Sequence, residues 1–265
     1  MILGFDEKSA IELIGSKGHN LSRMWQAGLP IPPGFCVTWD GMESLDSSEL
    51  SGALARLGNC AFAVRSSAVQ EDRASASFAG ILVSRLNVAS AAGVLSALTD
   101  IRQSASAPEA EGYAQRRKVQ SSVQVAGIVQ TFVPAEASGV LFMRDPLTGT
   151  RRTVVEACWG LGSGVVEGLV RPDRWILSAD GTVVSSHIAD KDTAVVPGDH
   201  EGTRQGPVDP SRRRRPCLET ESLRHLSQLA IACERLFGGA QDIEWAVSGN
   251  RVWLLQSRPI TSANS

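Results

Sequence analysis

The stretch QDIEWAVSGNRVWLLQSRPIT, at 241–261, constrains the fold most, because its side chains alternate like two strands joined by a tight turn. Alternate residues of a strand point to opposite faces. One face of this hairpin is largely polar and holds Asp242, Glu244, Ala246, Leu254, Gln256 and Arg258. The opposite face is aromatic-rich and holds Ile243, Trp245, Val247, Trp253, Leu255 and Ser257. We expect the aromatic-rich face to point into the core.

The register of this hairpin decides whether the two polar faces coincide. They coincide only if paired residues have numbers with an even sum, as when Glu244 lies opposite Gln256. A three-residue loop, Gly249-Asn250-Arg251, delivers this register, and its Gly or Asn supplies the left-handed residue. The sequence therefore predicts a hairpin closed by three residues.

The shared polar face has the chemistry of a metal-bound phosphate site. Carboxylate oxygens from Asp242 and Glu244 and the amide oxygen of Gln256 are hard ligands, which suit Mg²⁺. Arg258 beside them makes sense if a phosphate bridges the metal and the guanidinium. The alternative is a solvent-exposed polar face on an edge hairpin, which is common in proteins.

Composition narrows the class of protein. The chain has 265 residues, a formal net charge of −2, 43% apolar and 20% charged residues, which is ordinary for a globular protein. Neither nucleic acid nor an anionic membrane is indicated, and no apolar run reaches the ~18 residues of a membrane span. The N-terminus lacks a signal-peptide pattern. The five cysteines are widely spaced and form no C-x-x-C motif, which favours free thiols. We therefore predict a cytoplasmic protein.

Strands and helices alternate irregularly along the chain, with several hairpins, so the predicted fold class is α+β. Helices are expected over 42–58, 90–118 and 219–237, and residues 197–217 are expected to be irregular. Asp180-Gly181 is expected to be the turn of a hairpin.

Two further stretches suggest phosphate contacts. Lys17 lies between Gly15 and Gly18 just before a predicted helix, where glycines admit a phosphate and free N–H groups can bind it. A surface turn with a solvated lysine explains the same pattern. Arg65 ends the apolar strand CAFAVRSSA, where an arginine needs a partner. The glycine-rich EACWGLGSGVVEG lacks the dinucleotide fingerprint and is a mobile loop or a plain connection.

Taken together, these stretches resemble the ATP-binding domain of the pyruvate phosphate dikinase and phosphoenolpyruvate synthase family, which includes the rifamycin phosphotransferases. The similar segments run in the family's order from near residue 10 to residue 261: GSKGHNL, PPGFCVT, AVRSSAVQED, SFAG, ASGVLFMRDPLTG, EACWGLGSGVVEGLVRPDRW, FGGAQDIEWA and LQSRPIT. The resemblance implies an ATP-grasp fold, in which two lobes clasp ATP and magnesium.

The resemblance also implies site residues. Lys17 and Arg65 would hold phosphates, with Gly80 and Ser84 along the phosphate-side strand and Gln130 at the adenine end. Glu244 and Gln256 would bind Mg²⁺ with Asp242 close by. Arg258 would contact the transferring phosphates, so that Lys17, Arg65 and Arg258 form the catalytic set.

The family's reaction implies partners for this chain. ATP is split to AMP, and the diphosphate passes to a histidine on a swivelling domain, which carries phosphate to a small-molecule acceptor on a third domain. We expect residues 1–262 to form the ATP-grasp domain, with a trimmed first lobe because CVT and AVRSS are closely spaced, and 263–265 to form a tail. Two alternatives are a self-sufficient ATP-grasp kinase or ligase acting on a small molecule, and a nucleotide sensor.

None of the four histidines stands in a recognisable carrier context. They are His19, His187, His200 and His225. His187, in VVSSHIADK, falls in a hairpin that the family also has inside its ATP domain, so a carrier role is not expected. The run Arg212 to Arg215 is interpreted as a solvated loop or as a source of local salt bridges.

Overall fold

The computed structural model describes residues 1–69, 83–105, 124–146 and 148–260. The chain divides into two compact units. The first comprises the described parts of 1–26, 32–132 and 199–202, and the second comprises those of 27–31, 133–198 and 203–265. Within the described residues no helix is long and apolar enough to cross a membrane.

The first unit is built on an antiparallel sheet of five strands, in the order β1-β2-β5-β3-β4. The strands are β1 (Ile2–Gly4), β2 (Gly34–Val37), β3 (Phe62–Ala68), β4 (Ser84–Val88) and β5 (Val125–Thr131). The helices are α1 (Ile11–Gln26), α2 (Trp39–Glu43), α3 (Ser47–Leu57) and α4 (Ala91–Ala105). Alternate residues of β3, including Val64 and Ala68, pack with α3 and α4 into one apolar core.

The helix expected over 42–58 is two helices, and the single-helix prediction is wrong. The Thr38 hydroxyl caps α2 by accepting a hydrogen bond from the Gly41 N–H at 3.1 Å. Asp46 then adopts an extended conformation (φ −80°, ψ 140°) as the N-cap of α3. Both residues are typical N-caps, so each begins a new helix. The part of the expected 90–118 helix beyond residue 105 lies outside the described residues.

The second unit is built on an antiparallel sheet of six strands, in the order β13-β12-β6-β7-β8-β9. Its strands are β6 (Ala137–Phe142), β7 (Thr153–Trp159), β8 (Asp173–Leu177), β9 (Val183–His187), β12 (Gln241–Ser248) and β13 (Arg251–Pro259). The remaining elements are α5 (Ser163–Val166), α6 (Thr220–Phe237) and the pair β10 (Thr193–Pro197) and β11 (Thr203–Pro207). The expectation that 197–217 is irregular is therefore wrong for β11, whose backbone pairs with β10.

The amphipathic helix predicted at 219–237 is confirmed as α6, which ends at Gly238 in the left-handed conformation (φ 80°). Its apolar stripe is buried: Leu223, Leu226, Leu229, Ala230 and Cys233. The helix packs on β12 and β13. The sheet contributes a row of four buried side chains in register, namely Ile243, Leu141, Val155 and Trp175.

A buried ion pair joins three segments of the second unit. Asp173 is 0% exposed and Lys191 is 1% exposed. One Asp173 oxygen accepts from the Lys191 ammonium at 2.5 Å and from the Ala189 N–H at 2.9 Å. The other oxygen accepts from the Cys217 N–H at 2.9 Å. Both charges are thus paired and hydrogen-bonded, as burial requires.

All five cysteines are free thiols, and four of them are buried. Burial raises the pKa of Cys36, Cys158 and Cys233 to about 12 and raises the pKa of Cys217 as well. Because only the thiolate reacts, brief treatment of the native chain with iodoacetamide at pH 8 should alkylate Cys60 alone. Peptide mass spectrometry, with a denatured sample as control, checks this. Native labelling of Cys217 at the rate of Cys60 would contradict it.

Candidate functional site

The closing hairpin has the predicted pairing at its base. Glu244 lies opposite Gln256, and Asp242 lies opposite Arg258. The predicted polar face therefore exists, and its two carboxylates, amide and guanidinium face the same side of the sheet. Asp242 is 9% exposed and Gln256 is 6% exposed, so this face is not a solvated one at these two positions.

The turn of the hairpin is shorter than predicted. Ser248 pairs with Arg251, so the loop has two residues, Gly249 (φ 57°) and Asn250 (φ 61°). Two successive left-handed residues are typical of a type I′ turn, which matches the twist of the strands. The prediction of a three-residue loop is wrong. A β-bulge between Glu244 and Trp245 restores the even register, with Leu255 as the additional residue of β13.

Because of the bulge, the residues of β13 between the turn and Leu255 point to the faces opposite to those that the sequence predicted. Between the turn and the bulge, Leu254 pairs with Trp245 and both are fully buried. Trp253 is only half-buried, and the Arg251 guanidinium lies 3.7 Å from its ring centroid. The prediction that Trp253 and Leu255 face the core and Leu254 does not is wrong. Beyond the bulge, Ser257 is buried as predicted.

Arg258 is oriented by its cross-strand partner. Its Nε donates to Asp242 Oδ2 at 2.7 Å, and its second terminal nitrogen lies 2.6 Å from the same oxygen. The Arg258 side chain is 57% exposed, whereas that of Asp242 is 10% exposed. A carboxylate therefore holds one edge of a guanidinium whose exposed part is accessible to an anion.

The polar row continues across the sheet to residues that the sequence did not single out. From Glu244 the register runs through Val140 to Glu156 and Arg174. Arg174 lies 3.6 Å from Glu156 and 3.5 Å from Asp145. The sequence did offer one indication of this row, because Glu156 is a charged residue inside the apolar strand TVVEACW. The sequence does not reveal which strands lie beside it.

The donor set at the base of the hairpin fits a magnesium ion. Asp242 and Glu244 offer carboxylates and Gln256 offers an amide, and the register places all three on one face. Mg²⁺ prefers such oxygen ligands and keeps several of its waters. Among the described residues no group of three or more His, Cys, Asp or Glu side chains converges on a metal position.

In the first unit, Lys17 lies within α1 and not in a loop before it. Gly15 has non-helical angles (φ 68°, ψ 173°), which divide α1 into 11–14 and 16–26. Lys17 is half-buried in the first turn of the second segment. The prediction that Lys17 lies just before a helix is therefore wrong in position, although a helical segment does begin directly after Gly15.

Three other predicted residues share one face of the first unit's sheet. Arg65 on β3 pairs with Ser84 on β4 and with Ile128 on β5, and Gln130 is two residues beyond Ile128. The Gln130 side chain is buried and donates to the Pro32 carbonyl at 3.2 Å. Its assignment to the adenine end stays a prediction. Gly80 lies outside the described residues.

The run Arg212 to Arg215 makes local contacts, whereas His187 is a surface residue. Arg214 makes two hydrogen bonds to Asp190, at 3.0 and 2.8 Å, and the Arg212 guanidinium lies 4.0 Å from the Trp159 ring centroid. The interpretation of Arg212 to Arg215 as a source of local salt bridges is confirmed for Arg214. His187 is exposed on β9 opposite Arg174.

Comparison with known proteins identifies the family to which the sequence is similar. The family described as "Pyruvate phosphate dikinase, AMP/ATP-binding domain" matches residues 47–265. The prodigiosin synthesizing transferase PigC of Serratia marcescens is 34% identical over 94% of this chain and 32% of its own length. A rifampicin phosphotransferase from a Streptomyces species is 35% identical over 94% of this chain and 34% of its own length.

This chain belongs to the pyruvate phosphate dikinase AMP/ATP-binding domain family. The predicted family is confirmed, and the described helices and sheets confirm the α+β class of the fold, whereas the ATP-grasp assignment stays a prediction. A probable phosphoenolpyruvate synthase of Methanocaldococcus jannaschii is a further relative, 30% identical over 95% of this chain and 26% of its own length. The chain therefore spans about a third or less of these relatives.

Among solved structures, a D-alanine–D-alanine ligase from Bacillus anthracis matches 94% of this chain and 57% of its own, with a TM-score of 0.46 and 12% identity. A TM-score this low adds nothing to the assignment.

Proposed function

We propose that this chain is the ATP-binding, phosphoryl-donor component of a dikinase-like phosphotransferase. It cleaves ATP to AMP and passes the diphosphate to a histidine on a separate domain or partner chain. Water takes the outer phosphate as inorganic phosphate, and the phosphate left on the histidine reaches a small-molecule acceptor. One observation supports this most strongly. In a member of an AMP/ATP-binding family, Asp242, Glu244, Gln256 and Arg258 share one sheet face in register.

The second unit's residues are assigned to the reacting end of the nucleotide. Glu244 and Gln256 would hold Mg²⁺, with Asp242 beside them, and the ion supplies neutralisation of phosphate charge when bound. Arg258, oriented by Asp242, presents its exposed N–H groups to the transferring phosphates. A guanidinium fixed before the reaction need not reorganise as charge shifts between phosphate oxygens.

The first unit's residues are assigned to holding the nucleotide. Lys17 and Arg65 bind phosphates as cations, Ser84 lies opposite Arg65 on the neighbouring strand, and Gln130 is assigned to the adenine end. Positioning of this kind supplies much of the rate in phosphoryl transfer, because the chemistry needs alignment and charge neutralisation. A cytoplasmic location, where ATP is abundant, belongs to the same proposal.

The principal alternative is a self-sufficient ATP-grasp kinase or ligase acting on a small molecule. It requires only this chain and the acceptor, whereas the dikinase-like reaction requires a phosphorylatable histidine on a partner. Incubation with ATP labelled in the β-phosphate separates the two. The dikinase-like reaction yields AMP and an acid-labile label on the partner. Rapid ADP formation with a small-molecule acceptor and no partner would favour the alternative.

Magnesium and ATP together should stabilise the chain against unfolding. At a ligand concentration about 100 times the dissociation constant, the free energy of unfolding should rise by about 2.7 kcal/mol, because only the folded state binds. Calorimetry or dye-monitored melting measures the shift, with Mg·AMP and ATP plus EDTA as matched controls. If millimolar Mg·ATP does not change the melting temperature, the site is wrongly assigned.

A further inference from the structure

A buried hydroxyl from strand β3 bridges the break in helix α1. In a continuous α-helix the Gly18 N–H would donate to the Ile14 carbonyl, four residues earlier. Here the Ser67 hydroxyl accepts from the Gly18 N–H at 3.1 Å and donates to the Ile14 carbonyl at 2.7 Å. Ser67 is 0% exposed. Its hydroxyl thus stands in the hydrogen-bond ladder at the place of the missing bond.

The approach of β3 to this break is too close for a side chain at Gly15. A Cβ there would lie 2.3 Å from Ser67 Oγ and 2.4 Å from the Ser67 carbonyl oxygen. The positive φ of 68° independently favours glycine. A second bond, from the Ser16 hydroxyl to the Val69 carbonyl at 2.8 Å, joins the same two segments. The start of the second helical segment is therefore fixed to the end of β3.

This attachment links two residues that are assigned to phosphate binding. Lys17 lies between Ser16 and Gly18, both of which are bonded to the β3 segment. Arg65 is two residues before Ser67 on β3, so the two side chains share one face of the strand. Ser67 therefore connects the backbone around Lys17 to the strand that carries Arg65.

We infer that Ser67 is a positioning residue for Lys17, and that its hydroxyl sets where the lysine ammonium meets a nucleotide phosphate. This inference rests on the proposed function. A group in one hydrogen-bonded network with a ligand contact couples to it energetically, which a double-mutant cycle measures. Removing the hydroxyl leaves the Gly18 N–H and the Ile14 carbonyl buried without this partner, so the helix start shifts to satisfy them.

The test is a cycle of Ser67→Ala and Lys17→Ala in the full chain, with Mg·ATP and adenosine as probes. Ser67→Ala should weaken Mg·ATP binding about tenfold, within the coupling range of networked residues, and leave adenosine binding unchanged. In the Lys17→Ala background it should add no further loss of Mg·ATP affinity, while its effect on unfolding persists.

Ser66→Ala is the matched control. Ser66 is also buried, but its hydroxyl accepts from the Val83 N–H at 3.1 Å on the opposite face of β3. It should alter stability without altering the ratio of Mg·ATP to adenosine affinity. If Ser67→Ala does not fold, Ser67→Cys keeps a weaker donor of similar size and should show a smaller loss that also vanishes with Lys17→Ala.

The outcomes separate this inference from the proposed function. If Lys17→Ala leaves Mg·ATP binding intact, the assignment of Lys17 fails, and the inference with it. If Lys17→Ala weakens binding but Ser67→Ala does not, or if the two losses simply add, Ser67 has only a structural role and the inference alone is overturned.

Discussion

Trp245→Ala should lower the free energy of unfolding by about 3–5 kcal/mol, the usual cost of emptying a buried aromatic position. Trp245 is 0% exposed and lies between Leu254 on β13 and Gly139 on β6. Glu244→Ala, one residue earlier, removes a half-buried carboxylate from the polar face. It should leave the fold intact and abolish turnover. Chemical denaturation and the labelled-ATP assay measure the two effects.

Trp245→Phe is the control for this pair. Among the described residues the Trp245 Nε1–H has no hydrogen-bond acceptor, so its removal sacrifices no such bond. Phenylalanine keeps most of the buried area, and we expect it to cost much less than alanine. Loss of folding in Glu244→Ala, together with a stable Trp245→Ala that has no activity, would reverse the assignment of faces on β12.

Asp173→Asn should destabilise the chain by about 3–5 kcal/mol, because it leaves the ammonium of Lys191 buried without a counter-charge. The pair is almost inaccessible to water, and Asp173 accepts three hydrogen bonds from two segments, 189–191 and Cys217. The double variant Asp173→Leu with Lys191→Met removes both charges and should recover much of that loss. Urea unfolding of the unmodified chain and of these two variants gives the comparison.

The exposed ion pair between Asp190 and Arg214 provides the contrast. Two Arg214 nitrogens donate to one Asp190 oxygen, yet both side chains are solvated, at 44% exposure for Asp190 and 84% for Arg214. Asp190→Asn should therefore change stability little, since solvent screens such pairs. If Asp173→Asn proved as mild as Asp190→Asn, the Lys191 ammonium would have to reach water or another acceptor in the variant.

The polar face of the closing hairpin was predictable, because strand alternation depends only on the order of residues. Trp245 in the core and Glu244 beside it on the other face follow from that period. The turn was not predictable to the same degree. Gly249 and Asn250 suit both a two-residue and a three-residue loop. A three-residue loop gives the even register directly, and a two-residue loop gives it when a bulge adds one residue to β13.

What the sequence could not reveal depends on neighbours that are distant along the chain. Glu156 joins the polar row only because β6 lies between β12 and β7. Ser67 is unremarkable within AVRSSA, and its importance comes from Ile14 and Gly18, which lie 53 and 49 residues away. The domain boundary at 262 and the tail at 263–265 remain predictions, since 261–265 lie outside the described residues.

The bulge at Leu255 separates the closing hairpin into a turn-side half and a base, and the length of the turn-side half can change without altering the pairing of the base. Strand β12 is held by β6 from Asp242 to Val247 without a shift in register, so the base is aligned by its sheet neighbour. The additional residue is carried by β13 alone. A change of turn length is therefore absorbed between the turn and the bulge. Insertions at the tip are expected to be tolerated during divergence, while Gln256 and Arg258 keep their places opposite Glu244 and Asp242.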